Sequence, residues 1–81
     1  MVYYIYVLKS CSVQKSYVGM TNNLDRRLAE HNSGKHFYTK RHKPWVMIYH
    51  EQYDNLTEAR KREKQLKTAN GRKFLKTLFL Q

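Results

Sequence analysis

The chain is poor in the features that usually brace a small fold. Its 81 residues include one cysteine, one proline and three glycines. With Cys11 alone, neither an internal disulfide nor a zinc site built from several cysteines can form. A reducing compartment fits that usage. No apolar run is long enough to span a bilayer, and the apolar start, Met-Val-Tyr-Tyr-Ile-Tyr-Val-Leu-Lys, is too short for a secretory core with its flanks. A soluble, cytoplasmic protein is expected. There is also no P-loop, no dinucleotide fingerprint and no Ser- or Cys-centred triad.

Acidic residues are scarce as well. Six Asp and Glu face sixteen Lys and Arg, a formal charge of +10 with a pI near 10.0. On so small a surface this is a strong positive field, and it points to a polyanionic partner, nucleic acid first. A membrane surface is the weaker reading, because no basic helix has a Trp/Phe/Leu-rich underside. The size allows a single domain over 1–81, burying roughly 60 to 65% of the surface its unfolded form exposes. That leaves room for one sheet and a few helices, with no second domain and no deep cofactor cleft.

What is abundant is tyrosine, together with a clear alternation of elements. Val2 to Leu8 is β-branched and aromatic and reads as a strand. A period of two puts Tyr4 and Tyr6 on one face and Tyr3, Ile5 and Val7 on the other. At least one of the two phenols sharing a face is expected to look into a cleft or solvent, since each hydroxyl wants a partner. Ser16 to Met20 can close a hairpin, with Tyr17 and Gly19 on one face. Glycine there permits a close approach or marks a bulge.

A helix follows, capped by Asn22 or Asn23, complemented by Asp25 and ended near Asn32-Ser33-Gly34. Its inward stripe holds Leu24, Arg27, Leu28 and His31, while Arg26 points to solvent. Arg27 and His31 lie one turn apart and can converge on one point, an arrangement suited to handling a phosphate.

Lys35 to Pro44 is a basic loop in which Lys35, Lys40, Arg41 and Lys43 alternate with His36, Phe37, Tyr38 and His42. Cations mixed with aromatics suit phosphate contacts plus base stacking. A solvated loop with its aromatics folded under is the equal alternative. The histidines lack metal-ligand spacing. Trp45 to Gln52 is apolar on both faces early on and is expected to be the most buried strand.

A second helix is expected from Glu58 to Thr68, capped by Asn55 or Thr57 and ended by Asn70-Gly71. Leu56, Ala59, Glu63, Leu66 and Asn70 form its inward stripe, placing Glu63 among apolar neighbours. A carboxylate there needs a positive partner. Spacing favours a basic side chain such as Arg27 over a divalent cation completed by water and phosphate oxygens. Glu58 reads as a first-turn residue and Glu51 as a strand-end surface residue. Arg72 to Leu80 forms a last helix with Phe74, Leu75, Leu78 and Phe79 on its apolar side, packed as a lid on the sheet. Phe79-Leu80 could instead present a small interaction surface.

Taken in order, Tyr4-Ile5-Tyr6, Tyr17-Val18-Gly19 and Asn23-Leu24-x-x-Arg27-x-x-x-His31 resemble the motifs of the GIY-YIG nuclease domain. The likeness extends through Arg62 to Lys67. It is nearest to small stand-alone bacterial members related to the nuclease domain of the excision-repair subunit. The departures are Tyr4 in place of the motif's glycine and Val18 in place of isoleucine.

The resemblance implies an α+β fold, a three-stranded antiparallel sheet flanked by helices. It further implies a metal-dependent endonuclease acting on DNA phosphodiesters, connected with repair or with DNA structure. One divalent ion, magnesium or manganese, would be held by Glu63, which reverses the preference drawn from spacing. Tyr6 and Tyr17 would share the roles of general base and of positioning water or phosphate. Arg27 would stabilise the phosphate and His31 would match a histidine of many members. Asn70 is a weak match to a late polar residue.

Family members that recognise specific DNA usually carry a further binding domain. Low sequence specificity, or a partner protein for targeting, is therefore expected here. The competing readings are a non-catalytic nucleic-acid-binding module and a structural role through Phe74 to Leu80.

Overall fold

The computed structural model describes residues 1–79. Three strands, β1 (Tyr3–Ser10), β2 (Ser16–Thr21) and β3 (Trp45–Tyr53), form an antiparallel sheet in the order β2-β1-β3. Helix α1 (Leu24–Asn32) and a short 3-10 turn (Thr39–His42) connect β2 to β3, and α2 (Leu56–Leu66) and α3 (Ala69–Phe79) follow. The sheet is the expected three-stranded one. Among the described residues, no helix is long and apolar enough to cross a membrane.

The strand at the centre is β1, where Ile5, Tyr6, Val7 and Leu8 are all fully buried. Its alternation divides the interior. Ile5, Val7 and Val18 pack with Ala59, Leu66 and Leu75 on one side. Tyr6, Leu8 and Trp45 pack with Tyr17, Leu24, Leu28 and Met47 on the other.

The expectation that the third strand would be the most buried is overturned. β3 is an edge strand, and of its residues only Trp45 is buried. Its apolar run has another cause. Val7 pairs with Tyr49 but Leu8 pairs with Met47, so Ile48 is the extra residue of a bulge. Ile48 and Tyr49 therefore join the same core face although they are consecutive, as a bulge permits.

Asn23 caps α1 by accepting from the Arg26 amide at 3.1 Å. Asn55, rather than Thr57, caps α2 by accepting from the amides of Thr57 and Glu58. α2 begins two residues earlier than the predicted Glu58 and stops at Leu66 rather than Thr68. Asn70-Gly71 does not end it, because both residues lie inside α3. Gly71 is buried at the corner between the helices, where a β-carbon would run into the backbone of Gln65 and Leu66. That close approach is the reason for glycine there, and a stop signal is not. The predicted α2 stripe holds in the middle, with Ala59 and Leu66 buried and Glu63 half-buried between them, but Leu56 and Asn70 are exposed. Leu80, the expected last residue of α3, lies outside the described residues, as does the Leu80 part of the suggested interaction surface.

Glu51 is also not a surface residue. It faces the α2 side of the sheet, half-buried, and accepts two bonds at 2.9 Å from the Arg62 guanidinium and one from each hydroxyl of Tyr49 and Tyr53. Burial raises its pKa, but the bonds from Arg62, Tyr49 and Tyr53 outweigh that and hold it near 2. Burial and the Glu51 partnership push the Tyr53 phenol up to about 12. The Phe74 ring lies 5.3 Å from the Arg62 guanidinium, so α2, α3 and β3 meet at this cluster.

Candidate active site

The site lies between the Tyr6 face of the sheet and α1. β1 presents Tyr6 and β2 presents Tyr17. Gly19 pairs with Tyr6 across the ladder, and a β-carbon there would strike the Tyr6 hydroxyl and lie 2.9 Å from the Tyr17 ring. Glycine at this position thus makes room for the phenol.

The Tyr6 hydroxyl accepts from Arg27 Nε at 3.2 Å and meets His31 Nε2 at 2.9 Å. His31 Nδ1 lies 2.7 Å from Thr39 Oγ1. Tyr6, His31 and Thr39 are all fully buried. With Arg27 donating, the remaining Tyr6 partner able to take its proton is His31 Nε2. The network therefore assigns Tyr6 as donor to Nε2 and Nδ1–H as donor to Thr39.

Burial, His36 and Arg27 together depress the His31 pKa to about 4, with Glu30 acting in the opposite direction. The imidazole is neutral at neutral pH. Burial lifts the Tyr6 phenol to about 12, against the bond from Arg27; the charge of Glu63 adds to the rise. The Tyr6 contact in turn raises the Arg27 pKa. Arg27 also pairs with Glu30 at 3.2 Å.

Tyr17 is half-buried and sits amid an aromatic cluster. Its ring centre is 5.0 Å from that of His31, 5.3 Å from His36 and 5.9 Å from Tyr38. Its hydroxyl reaches His36 Nε2 at 3.4 Å, while His36 Nδ1 is buried with no hydrogen-bond partner among the described residues. A cavity of about 150 Å³ opens beside this group, lined by Arg27, Glu30, Lys35 and His36.

The loop is fixed from below. Asn32 clasps the Trp45 backbone, accepting from its amide at 2.6 Å and donating to its carbonyl at 3.0 Å. The Trp45 indole donates to the Thr39 carbonyl at 2.7 Å. These bonds hold Thr39 under His31.

Four of the five expected site residues, Tyr6, Tyr17, Arg27 and His31, come together. Glu63 stands apart from their hydrogen bonds. Its partner is Lys67 at 3.1 Å, one turn on, and not Arg27. Its charge is nevertheless felt at Tyr6. Of the loop cations, Lys35 lines the cavity beside Arg27. Lys40 and Arg41 lie over the exposed Phe37 ring at 5.2 and 5.7 Å, so that aromatic is not folded under. Lys43 extends toward the Gly34 turn. Among the described residues, no three His, Cys, Asp or Glu side chains converge as a metal cage.

Sequence reasoning missed Thr39, His36 and Glu30 as members of the cluster. Glu30 could have been found as the i+3 partner of Arg27. Thr39 and His36 lie in a loop with no periodicity, so nothing local marks them.

The family model for the GIY-YIG catalytic domain matches residues 2–76. A UPF0213 protein of Staphylococcus haemolyticus is 38% identical over 77 residues, 94% of this chain and 93% of its own. One from Syntrophus aciditrophicus is 44% identical over 66 residues, 79% of this chain and 75% of its own. The solution NMR structure of a UPF0213 protein from Bacillus halodurans matches with a TM-score of 0.58 and 28% identity, covering 96% of this chain and 85% of that one. The two tyrosine-bearing strands and the Arg27–His31 helix lie within a match that spans nearly all the residues, and the chain belongs to the GIY-YIG catalytic domain family.

Proposed function

We propose that the protein is a divalent-metal-dependent endonuclease that hydrolyses DNA phosphodiester bonds, with low sequence specificity and a connection to repair or to DNA structure. The observation that carries this reading is the convergence of Arg27, with the Tyr6–His31–Thr39 chain behind it, on a cavity that Lys35 also lines. A phosphate seated there would meet two cations, one of them a planar donor suited to phosphate oxygens.

The roles divide by environment. Tyr6 is fully buried and keeps its proton, so its part is to hold Arg27 in place. Tyr17 is the half-buried phenol and the better candidate for the base that activates water, with His36 Nε2 3.4 Å away to relay the proton. His31 is neutral and orients Tyr6.

Glu63 would hold an ion of the magnesium or manganese kind only after releasing Lys67, which bonds it at 3.1 Å. Such ions take one or two carboxylates and complete their shell with water and substrate phosphate. Glu63 would supply the carboxylate. When bound, the ion polarises the phosphate and acidifies water.

A second reading rests on the Lys67–Glu63 pair: with Glu63 already neutralised, the protein would serve as a nucleic-acid-binding module. Incubating wild type, Glu63→Ala and Arg27→Ala with linear, nicked and branched DNA, with and without magnesium or manganese, separates the two. Metal-dependent cleavage lost in both variants supports the nuclease. Equal binding by all three proteins without cleavage supports the module.

A further inference from the structure

A second cavity, of about 290 Å³, opens where β2, the loop, α2 and α3 meet. That volume is near the lower end for small-molecule sites, roughly 300 Å³. Its back is apolar, formed by Leu66 and Leu75. Its side is aromatic, formed by Tyr17 and Tyr38, whose rings lie 5.9 Å apart and tilted by 32°. Its rim has two cations, Lys67 and Arg72. Tyr38 is 44% exposed, leaving ring surface free for a ligand.

These features match two parts of a nucleotide, its base and its phosphate. A flat base suits an aromatic wall with an apolar back, and a phosphate suits a rim with two cations. The cavity also adjoins the candidate active site at two points. Tyr17 belongs to both, and Lys67 reaches Glu63 at 3.1 Å. A base inside a duplex shows only its edges in the grooves, so only a nucleotide outside the stack can enter such a cavity.

We propose that this cavity is a subsite for one unpaired nucleotide, its base against Tyr38 and Tyr17 and its phosphate between Lys67 and Arg72. The substrate class is then nucleic acid with a base outside the stack, such as a bulge, a flap or a single-stranded end. The inference rests on the nucleic-acid reading above but not on cleavage.

The test is binding in EDTA, measured by anisotropy on a paired duplex and on the same duplex with a one-nucleotide 2-aminopurine bulge. Wild type should favour the bulge by about tenfold, in line with one stacked base. It should also quench the 2-aminopurine fluorescence. Tyr38→Phe should keep both effects and Tyr38→Ala should lose both. Equal affinity for the two duplexes, or unchanged fluorescence on binding, overturns the subsite. If paired DNA is nevertheless cut with magnesium, the nuclease reading survives that failure. A bulge preference intact in a protein that cuts nothing supports the subsite and removes the nuclease.

Discussion

The Tyr6 hydroxyl and His31 Nε2 lie 2.9 Å apart with both residues fully buried, joining the middle of the sheet to the last turn of α1. Neither group has solvent as a substitute partner. Removing the imidazole leaves the Tyr6 hydroxyl and the Thr39 hydroxyl without it, and a void as well. His31→Ala should therefore destabilise the fold by about 2–4 kcal/mol. Urea unfolding is the measurement, and an unchanged midpoint would show that the pair contributes nothing.

Stability should fall with acid in two windows. The folded-state His31 pKa is about 4 against an ordinary 6.5, so the unfolded chain binds the extra proton first. The contribution is complete above about 6.5 and is lost as pH falls toward 4. Glu51 is held near 2 against 4.5, so its contribution is complete above the ordinary value and is lost as pH falls toward 2. Melting temperature measured across this range should decline in both windows. In Glu51→Gln the lower decline should flatten while the upper one remains.

Arg62 ties Glu51 to α2 on the far face of the sheet from Tyr6. Arg62→Ala leaves a half-buried carboxylate with its two tyrosines and no cation. The expected cost is about 1–3 kcal/mol in chemical denaturation. Binding to a short DNA duplex at a temperature where the variant is folded should change by less than about twofold, since one of many surface charges is removed. A tenfold loss would instead place Arg62 in the DNA interface.

Gly71→Ala tests the helix corner. In an exposed helix, alanine in place of glycine gains about 1 kcal/mol. Here the β-carbon meets the Gln65 and Leu66 backbone, which cannot rotate away. A loss of about 1–3 kcal/mol is expected from overpacking. A higher melting temperature for the variant would sink this account of the corner.

The exposed loop cations make a separate prediction for salt. Replacing both Lys40 and Arg41 by Ala should weaken DNA binding about equally across sequences. It should also reduce the slope of log affinity against log salt by about 1 to 2. Titrations at several salt concentrations read this directly, and an unchanged slope would remove the pair from the phosphate contacts.

Local signals read correctly where the physics is local. The β1–β2 hairpin, a cap at Asn22 or Asn23 and the Leu24, Arg27, Leu28, His31 stripe follow from periods of two and 3.6 residues and from capping chemistry. That Tyr17 shares a face with Tyr6 depends on the hairpin register, which only the structure sets. Local signals mislead where distant segments meet. An edge strand with a bulge carries as much apolar sequence as a central one, so apolar content alone places β3 too deep. Glu51 looks polar and terminal in sequence, yet Arg62, eleven positions away, and two tyrosines draw it inward. Gly71 reads as a stop until the neighbouring helix backbone is seen against it.

By itself the sequence determined the strongly basic character, the elements, the family likeness and which chemical groups were available. Those depend on composition and on short-range periodicity. Tertiary structure decided who touches whom. It placed His31 between Tyr6 and Thr39, gave Glu63 to Lys67, and brought Tyr38 against Tyr17 beside Leu66 and Arg72. Such contacts join residues far apart in the chain. Which of them form is set by packing around a single sheet, where burial fixes a side chain only once its neighbours from other elements have arrived.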